Sequence, residues 1–161
     1  MTHITSRIPA ATDALVGLLT SAVGSSTNVV DGPPLTWNGV ELAQGSVSES
    51  SYLFVGATPD SDTSASGTQD FNAAGAVSRD ELFDIDCTAF VWAGDQVMKA
   101  IRDAAFALVA QVEQAIRSDP SLGAAVLYSR MSGVTSMAQR QSEQGADVTV
   151  TFTVAARAYL E

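Results

Sequence analysis

Between residues 81 and 116 the apolar pattern changes its period from two to about 3.6 with no linker between, and this switch limits the folds open to the chain. Over residues 81–92, Phe83, Ile85, Cys87, Ala89 and Val91 point one way and Asp84, Asp86 and Thr88 the other, which predicts a long strand. Gly94-Asp95 breaks that strand and can cap a helix after it. Beyond this break Val97, Ile101, Ala104, Leu108, Val112 and Ala115 or Ile116 make one helical stripe that runs to about Ser118. A strand with one apolar face and a helix with one apolar stripe each need a cover, and the economical arrangement is a sheet with helices laid on it.

The rest of the chain supplies the partners. Leu15, Leu18, Leu19 and Ala22 share one helical face over residues 9–23, opened by Pro9 and ended by Gly24. Val29-Val30 reads as a short strand stopped by Asp31-Gly32-Pro33-Pro34. Over residues 35–42 an Asn38-Gly39 pair stands between alternating apolar residues, the pattern of a hairpin. Tyr52-Leu53-Phe54-Val55 reads as a buried strand ended by Gly56, and Asp119-Pro120 stops the second helix ahead of a strand candidate at Ala125-Val126-Leu127-Tyr128. The stretch from Gly133 to Gln144 is polar and shows no clear period, whereas Val148-Thr149-Val150-Thr151-Phe152-Thr153-Val154 alternates without a break into a strand ending near Tyr159. The fold expected is α+β: a mainly antiparallel sheet of about five strands with two helices packed on one face, in a single domain over residues 1–161.

Residues 57–75 are mostly Ser, Thr, Asp, Gly and Ala, with Phe71 as the one large apolar side chain. Ordering each backbone unit costs about 1–2 kcal/mol, and small polar residues bury little apolar area in return. The segment is therefore expected to be a mobile loop, ordered by a partner through Phe71, with Asp60, Asp62 and Asp70 facing basic groups of that partner.

Composition narrows the function. With 161 residues, 46% of them hydrophobic, the chain is the size of one domain and needs neither disulfide nor metal to fold. Eighteen acidic residues against eight basic give a net charge of −10, which opposes a tight grip on phosphate backbones. Residues 1–80 hold two basic and eight acidic side chains and residues 81–161 six and ten, so neither half is a basic arm. The start Met-Thr-His-Ile-Thr-Ser-Arg lacks the pattern of a signal peptide and no apolar run is long enough to cross a bilayer, so a cytoplasmic, non-membrane protein is expected.

Reactive groups are sparse. His3 is the only histidine and lies in a terminal segment, and the single Cys87 falls on the apolar face of its strand, where a thiol behaves as a small hydrophobe. Asp84 and Asp86 share the other face and could hold a cation only with a third carboxylate or a phosphate; a solvated face, or one met by an arginine of a neighbouring subunit, is the preferred reading. Asp60-Ser61-Asp62-Thr63 lacks the continuation of an EF-hand loop. No dinucleotide, Walker, nucleophile-elbow or zinc-protease motif occurs, so no enzyme activity and no cofactor are expected. Trp37 and Phe71, large aromatics on connections, read equally as interface anchors or as side chains folded back on their own domain.

Taken in order, the elements resemble the tail terminator proteins of long-tailed bacteriophages. The likeness rests on the amphipathic helix carrying Leu15, Leu18 and Leu19, the Val29-Val30-Asp31-Gly32-Pro33-Pro34 strand and turn, the strand ending at Val55-Gly56, and Glu81-Leu82-Phe83-Asp84-Ile85-Asp86-Cys87. It continues through the Gly-Asp start of the long helix, Asp119-Pro120-Ser121-Leu122-Gly123 and the closing strand around Phe152 and Val154, and so spans nearly all of residues 8–160. The resemblance implies a virion protein at the neck end of the tail: a homohexameric ring that binds the last ring of tail tube protein, stops its polymerisation and offers its other face to head-completion proteins. An acidic chain suits a ring whose lumen passes DNA without holding it. Asn38, Arg130 and Arg140 join Trp37, Phe71 and the aspartates as candidate interface residues, arginine because its planar fork meets carboxylates in two parallel bonds. A head-to-tail stopper or connector subunit is the alternative, and a small ligand-binding domain or enzyme a third.

Overall fold

The strand β4 (Arg79–Ala93) organises the molecule, because every other strand reaches the core through it or through its neighbour. The computed structural model describes residues 4–43, 49–73, 77–95 and 97–161. In chain order the elements are α1 (Ile8–Ala22), β1 (Thr27–Asp31), α2 (Gly39–Ala43), β2 (Glu49–Val55), β3 (Ala65–Phe71), β4, α3 (Met98–Ser118), β5 (Tyr128–Ser142) and β6 (Gly145–Leu160). They form an α+β fold, a six-stranded, mostly antiparallel mixed sheet with two helices, α1 and α3, packed against it. The strand order is β1-β2-β4-β6-β5, with β1 parallel to β2 and the other pairs antiparallel. β6 pairs with β4 along its whole length, so β2 and β3 share the other side: β2 pairs with residues 87–93 and β3 with residues 79–85.

The helix-side core is the one the periodicities imply except at the ends of the stripes, where Val97 precedes α3 and is exposed and Ala22 is exposed as well. Leu15, Leu19, Ile101, Leu108, Val112, Phe83, Ile85, Val150, Phe152 and Val154 are all buried, each worth about 1.5–3 kcal/mol for a side chain of this size. Leu18 is only half-buried and packs at the margin of that core.

Three expectations need correction. Residues 35–42 do not form a hairpin. Asn38 instead starts the short helix α2: its side-chain oxygen accepts the Glu41 N–H at 3.4 Å and its carbonyl accepts the Leu42 N–H at 2.9 Å. Gly39 is needed there for space, since a Cβ would run into the Trp92 ring. The segment is drawn down by a second apolar cluster on the sheet's other face, in which Trp37, Leu42, Tyr52 and Val30 pack on Phe54, Phe90, Ala57 and Trp92. Burying those rings outweighs the local turn preference of Asn-Gly.

Residues 57–73, the described part of the segment expected to be a loop over 57–75, are not one loop either; residues 74 and 75 lie outside the described residues. Within them β3 pairs residue for residue with β4, from Ala65 opposite Ile85 to Phe71 opposite Arg79, although nearly all its side chains are exposed. Backbone hydrogen bonds to an already anchored strand supply what its side chains do not. Lastly, the polar stretch after Gly133 is the body of β5, which starts at Tyr128; of the earlier strand candidate only that residue is strand. Register shifts at Ser132 and Thr135 put β5 out of phase twice, which erases the period-two signal.

Candidate assembly surfaces

Glu81 ties three elements together at one end of the sheet. It occupies a helix-side position of β4, in phase with Phe83 and Ile85, and is 2% exposed. Its carboxylate accepts the Ser6 hydroxyl at 2.6 Å, the Arg7 N–H at 2.6 Å and the Gln69 side-chain amide at 2.8 Å. The N-cap residue Arg7 makes no side-chain cap bond; the Ser6 hydroxyl accepts the Ile8 N–H at 3.1 Å, and the Glu81 carboxylate satisfies the Arg7 N–H at the positive end of the helix dipole. Gln69 in turn accepts from Arg79 at 2.8 Å, and the Arg79 guanidinium lies 5.8 Å from the centre of the Phe71 ring. Sequence reasoning assigned no role to Glu81, yet a signal was present: a carboxylate in phase with the apolar face of a strand needs buried partners.

The candidate interface residues separate into distinct places. Asp60 and Asp62 are exposed in the β2–β3 connection, and Asp70 and Phe71 are exposed on β3, Phe71 by 66%. Asp84 is exposed on the sheet face opposite the helices; Asp86 beside it is half-buried and accepts the Thr153 hydroxyl at 3.2 Å. Arg130 and Arg140 lie on β5. Trp37 packs edge-on to Phe54, ring centres 5.0 Å apart, and is therefore folded onto its own domain. Asn38 is engaged in starting α2.

Only part of the face opposite the helices is covered. The Trp37–Leu42 segment shields Phe54, Phe90 and Trp92, but the half built from residues 80–84 of β4 stays open. There the register lines up Thr68, Leu82, Arg157 and Tyr128 in one row and Ser66, Asp84, Ala155 and Arg130 in the next. Leu82 is 47% and Tyr128 45% exposed, flanking a shallow depression whose polar rim includes Asp84 and Arg130. Arg157 is held by Asp80 at 2.9 Å. Apolar side chains ringed by both charges, on strands that cannot easily move, make a surface suited to a protein partner.

At the other end, Arg140 donates to Asp147 at 3.1 Å and to the Trp37 carbonyl at 2.8 Å, joining β5 to the segment that carries α2. Burial raises the Asp147 carboxyl above the ordinary carboxylate value, against the opposing pull of Arg140. Cys87 is buried, and that burial pushes its thiol up to about 12. Among the described residues no group of three or more His, Cys, Asp or Glu side chains could hold a metal ion, and Asp84 and Asp86 acquire no third carboxylate. His3 lies outside the described residues. No helix among the described residues is long and apolar enough to cross a membrane. No known protein-family model matches this chain, and no curated protein matches it either.

Proposed function

We propose that this chain is a structural subunit of a bacteriophage tail, the tail terminator, which assembles into a ring on the end of the tail tube, stops its growth and receives the head-completion proteins. The observation that carries the reading is the open half of the sheet: Leu82 and Tyr128, bounded by Asp84 and Arg130, stand exposed on long paired strands. A rigid mixed patch of this kind serves docking between proteins, where preorganisation saves ordering entropy. The order of elements supports the same reading, with helices α1 and α3 on one side of a sheet whose opposite side is left partly free. The net charge of −10 is compatible with a lumen that does not hold DNA.

The test is assembly on tubes. Purified chain is added to growing tail tubes, and tube length and end structure are followed by electron microscopy. Arrest of growth with a ring at one tube end is expected. Failure to bind tubes at any concentration would overturn the reading, and binding to head-side connectors alone would point to the stopper alternative.

A further inference from the structure

The two free edges of the sheet carry opposite charge. One edge is β5, which pairs only with β6 among the described residues and holds Arg130 and Arg140 but no carboxylate, lysine or proline. The other edge is formed by β1 and β3, with Asp31 and Asp70, next to the connection carrying Asp60 and Asp62. No lysine or arginine occurs between Arg7 and Arg79, a stretch with seven carboxylates. Exposed edges are normally blunted by lysine or proline, because unpaired backbone groups template pairing with another chain. Here neither residue type occurs in β5 or β3.

We infer that a second copy of this chain joins head to tail through these edges, the start of β5 in one copy pairing with β3 of the next; this rests on the ring reading above and specifies its contact. Chain direction permits it. From β3 through β4 and β6 to β5 every neighbour is antiparallel, so β3 of a second copy in the same orientation arrives antiparallel to β5 and continues the alternation. Such a contact is heterologous, the kind that closes into rings. The bulges at Ser132 and Thr135 leave residues 128–131 as the regular part of β5 nearest β3 in height, and the register places them level with residues 65–68.

Level pairing sets Arg130 opposite Ser66. A closed ring of tilted strands staggers by about one residue per strand, hence by about four residues over the four strands from one copy's β3 to the next. Four is even, so side chains keep their face. Counted from Ser66, four residues lead to Asp70 within β3 in one sense of stagger and, in the other, past the start of β3 at Ala65 into the connection that carries Asp60 and Asp62. In the first sense Arg130 meets Asp70 across the ladder, and in the second it is carried to the acidic connection before β3. Within its own chain Arg130 forms none of the four salt bridges found among the described residues, and neither do Asp62 and Asp70.

The decisive experiment is intermolecular crosslinking. Full-length chain carrying Arg130→Cys with Asp70→Cys, or Arg130→Cys with Asp62→Cys, is oxidised in solution and on tail tubes, the buried Cys87 giving little background. One of the two pairs is expected to yield a ladder of covalent multimers. In parallel, Arg130→Glu is expected to raise the assembly dissociation constant at least about tenfold, and the matching Asp→Arg change to restore most of it. Thermal midpoints serve as the folding control for these exposed positions. Rings that still cap tubes without any ladder and without response to Arg130→Glu would overturn the edge pairing and leave the tail reading intact. A ladder from chain that ignores tubes would do the reverse. A chain that stays monomeric both free and on tubes would overturn both.

Discussion

The Glu81 carboxylate accepts the backbone N–H of Arg7 at 2.6 Å across 74 residues of chain, so a distant strand completes the cap that Ser6 begins by accepting the Ile8 N–H. Three donors converge on that one buried group. Glu81→Ala removes the acceptor of Ser6 and Arg7 and one of the two acceptors of the Gln69 amide, and is expected to cost about 2–3 kcal/mol, with Glu81→Gln recovering part of it. Urea unfolding measures the loss, and hydrogen exchange at the first turn of α1 should accelerate in the alanine variant before the rest of the helix does.

Phe152 sits between α3 and the sheet at 1% exposure. Its truncation to alanine is expected to cost about 3–5 kcal/mol, the transfer term plus a cavity that neighbours on rigid strands cannot close. Thermal melts check this; an unchanged midpoint would mean that the helix-side core does not depend on β6.

Cys87, whose thiol is pushed up from 9.0 to about 12 by burial, should resist alkylation in the folded chain at pH 8 and react at once in urea. Above pH 9 the unfolded thiol ionises while the folded one keeps its proton, so the folded state binds more protons and stability falls as pH rises toward 12. Cys87→Ala should flatten that decline in chemical melts followed from pH 8 to 11.

Arg140 holds both Asp147 and the Trp37 carbonyl, and its replacement by alanine is expected to cost about 1–2 kcal/mol, chiefly by leaving a partly buried carboxylate uncompensated. Asp147→Asn should be milder. Because the folded Asp147 carboxyl is raised above its unfolded value of 3.8, its contribution favours folding at low pH and is lost as pH rises through the folded value. The asparagine variant should lack this component when melting temperatures are compared between pH 3 and 7.

What could be read locally was read from periodicity. Helices α1 and α3, strands β4 and β6 and the choice of their inward faces come from apolar residues spaced at the helical or strand repeat, because burial of one face imposes that spacing on the sequence. The acidic edge candidates Asp60, Asp62 and Asp70 were legible as exposed from composition alone.

What the local sequence left open was decided by partners distant in the chain. Asn38-Gly39 became a helix start because Trp37 and Leu42 are captured by Phe54, Phe90 and Trp92, which no turn preference encodes. Strand β3 exists because the edge of β4 offers its polar backbone a ladder, and β5 because β6 does the same for a strand whose two bulges hide its period. Glu81 shows the same physics in one residue: a carboxylate is tolerable in a core only where donors converge on it, and here Ser6, Arg7 and Gln69 come together only once the chain has folded. Periodicity thus determined which surfaces this chain buries, while backbone pairing and buried polar groups, being satisfied across long sequence separations, were settled by the tertiary structure.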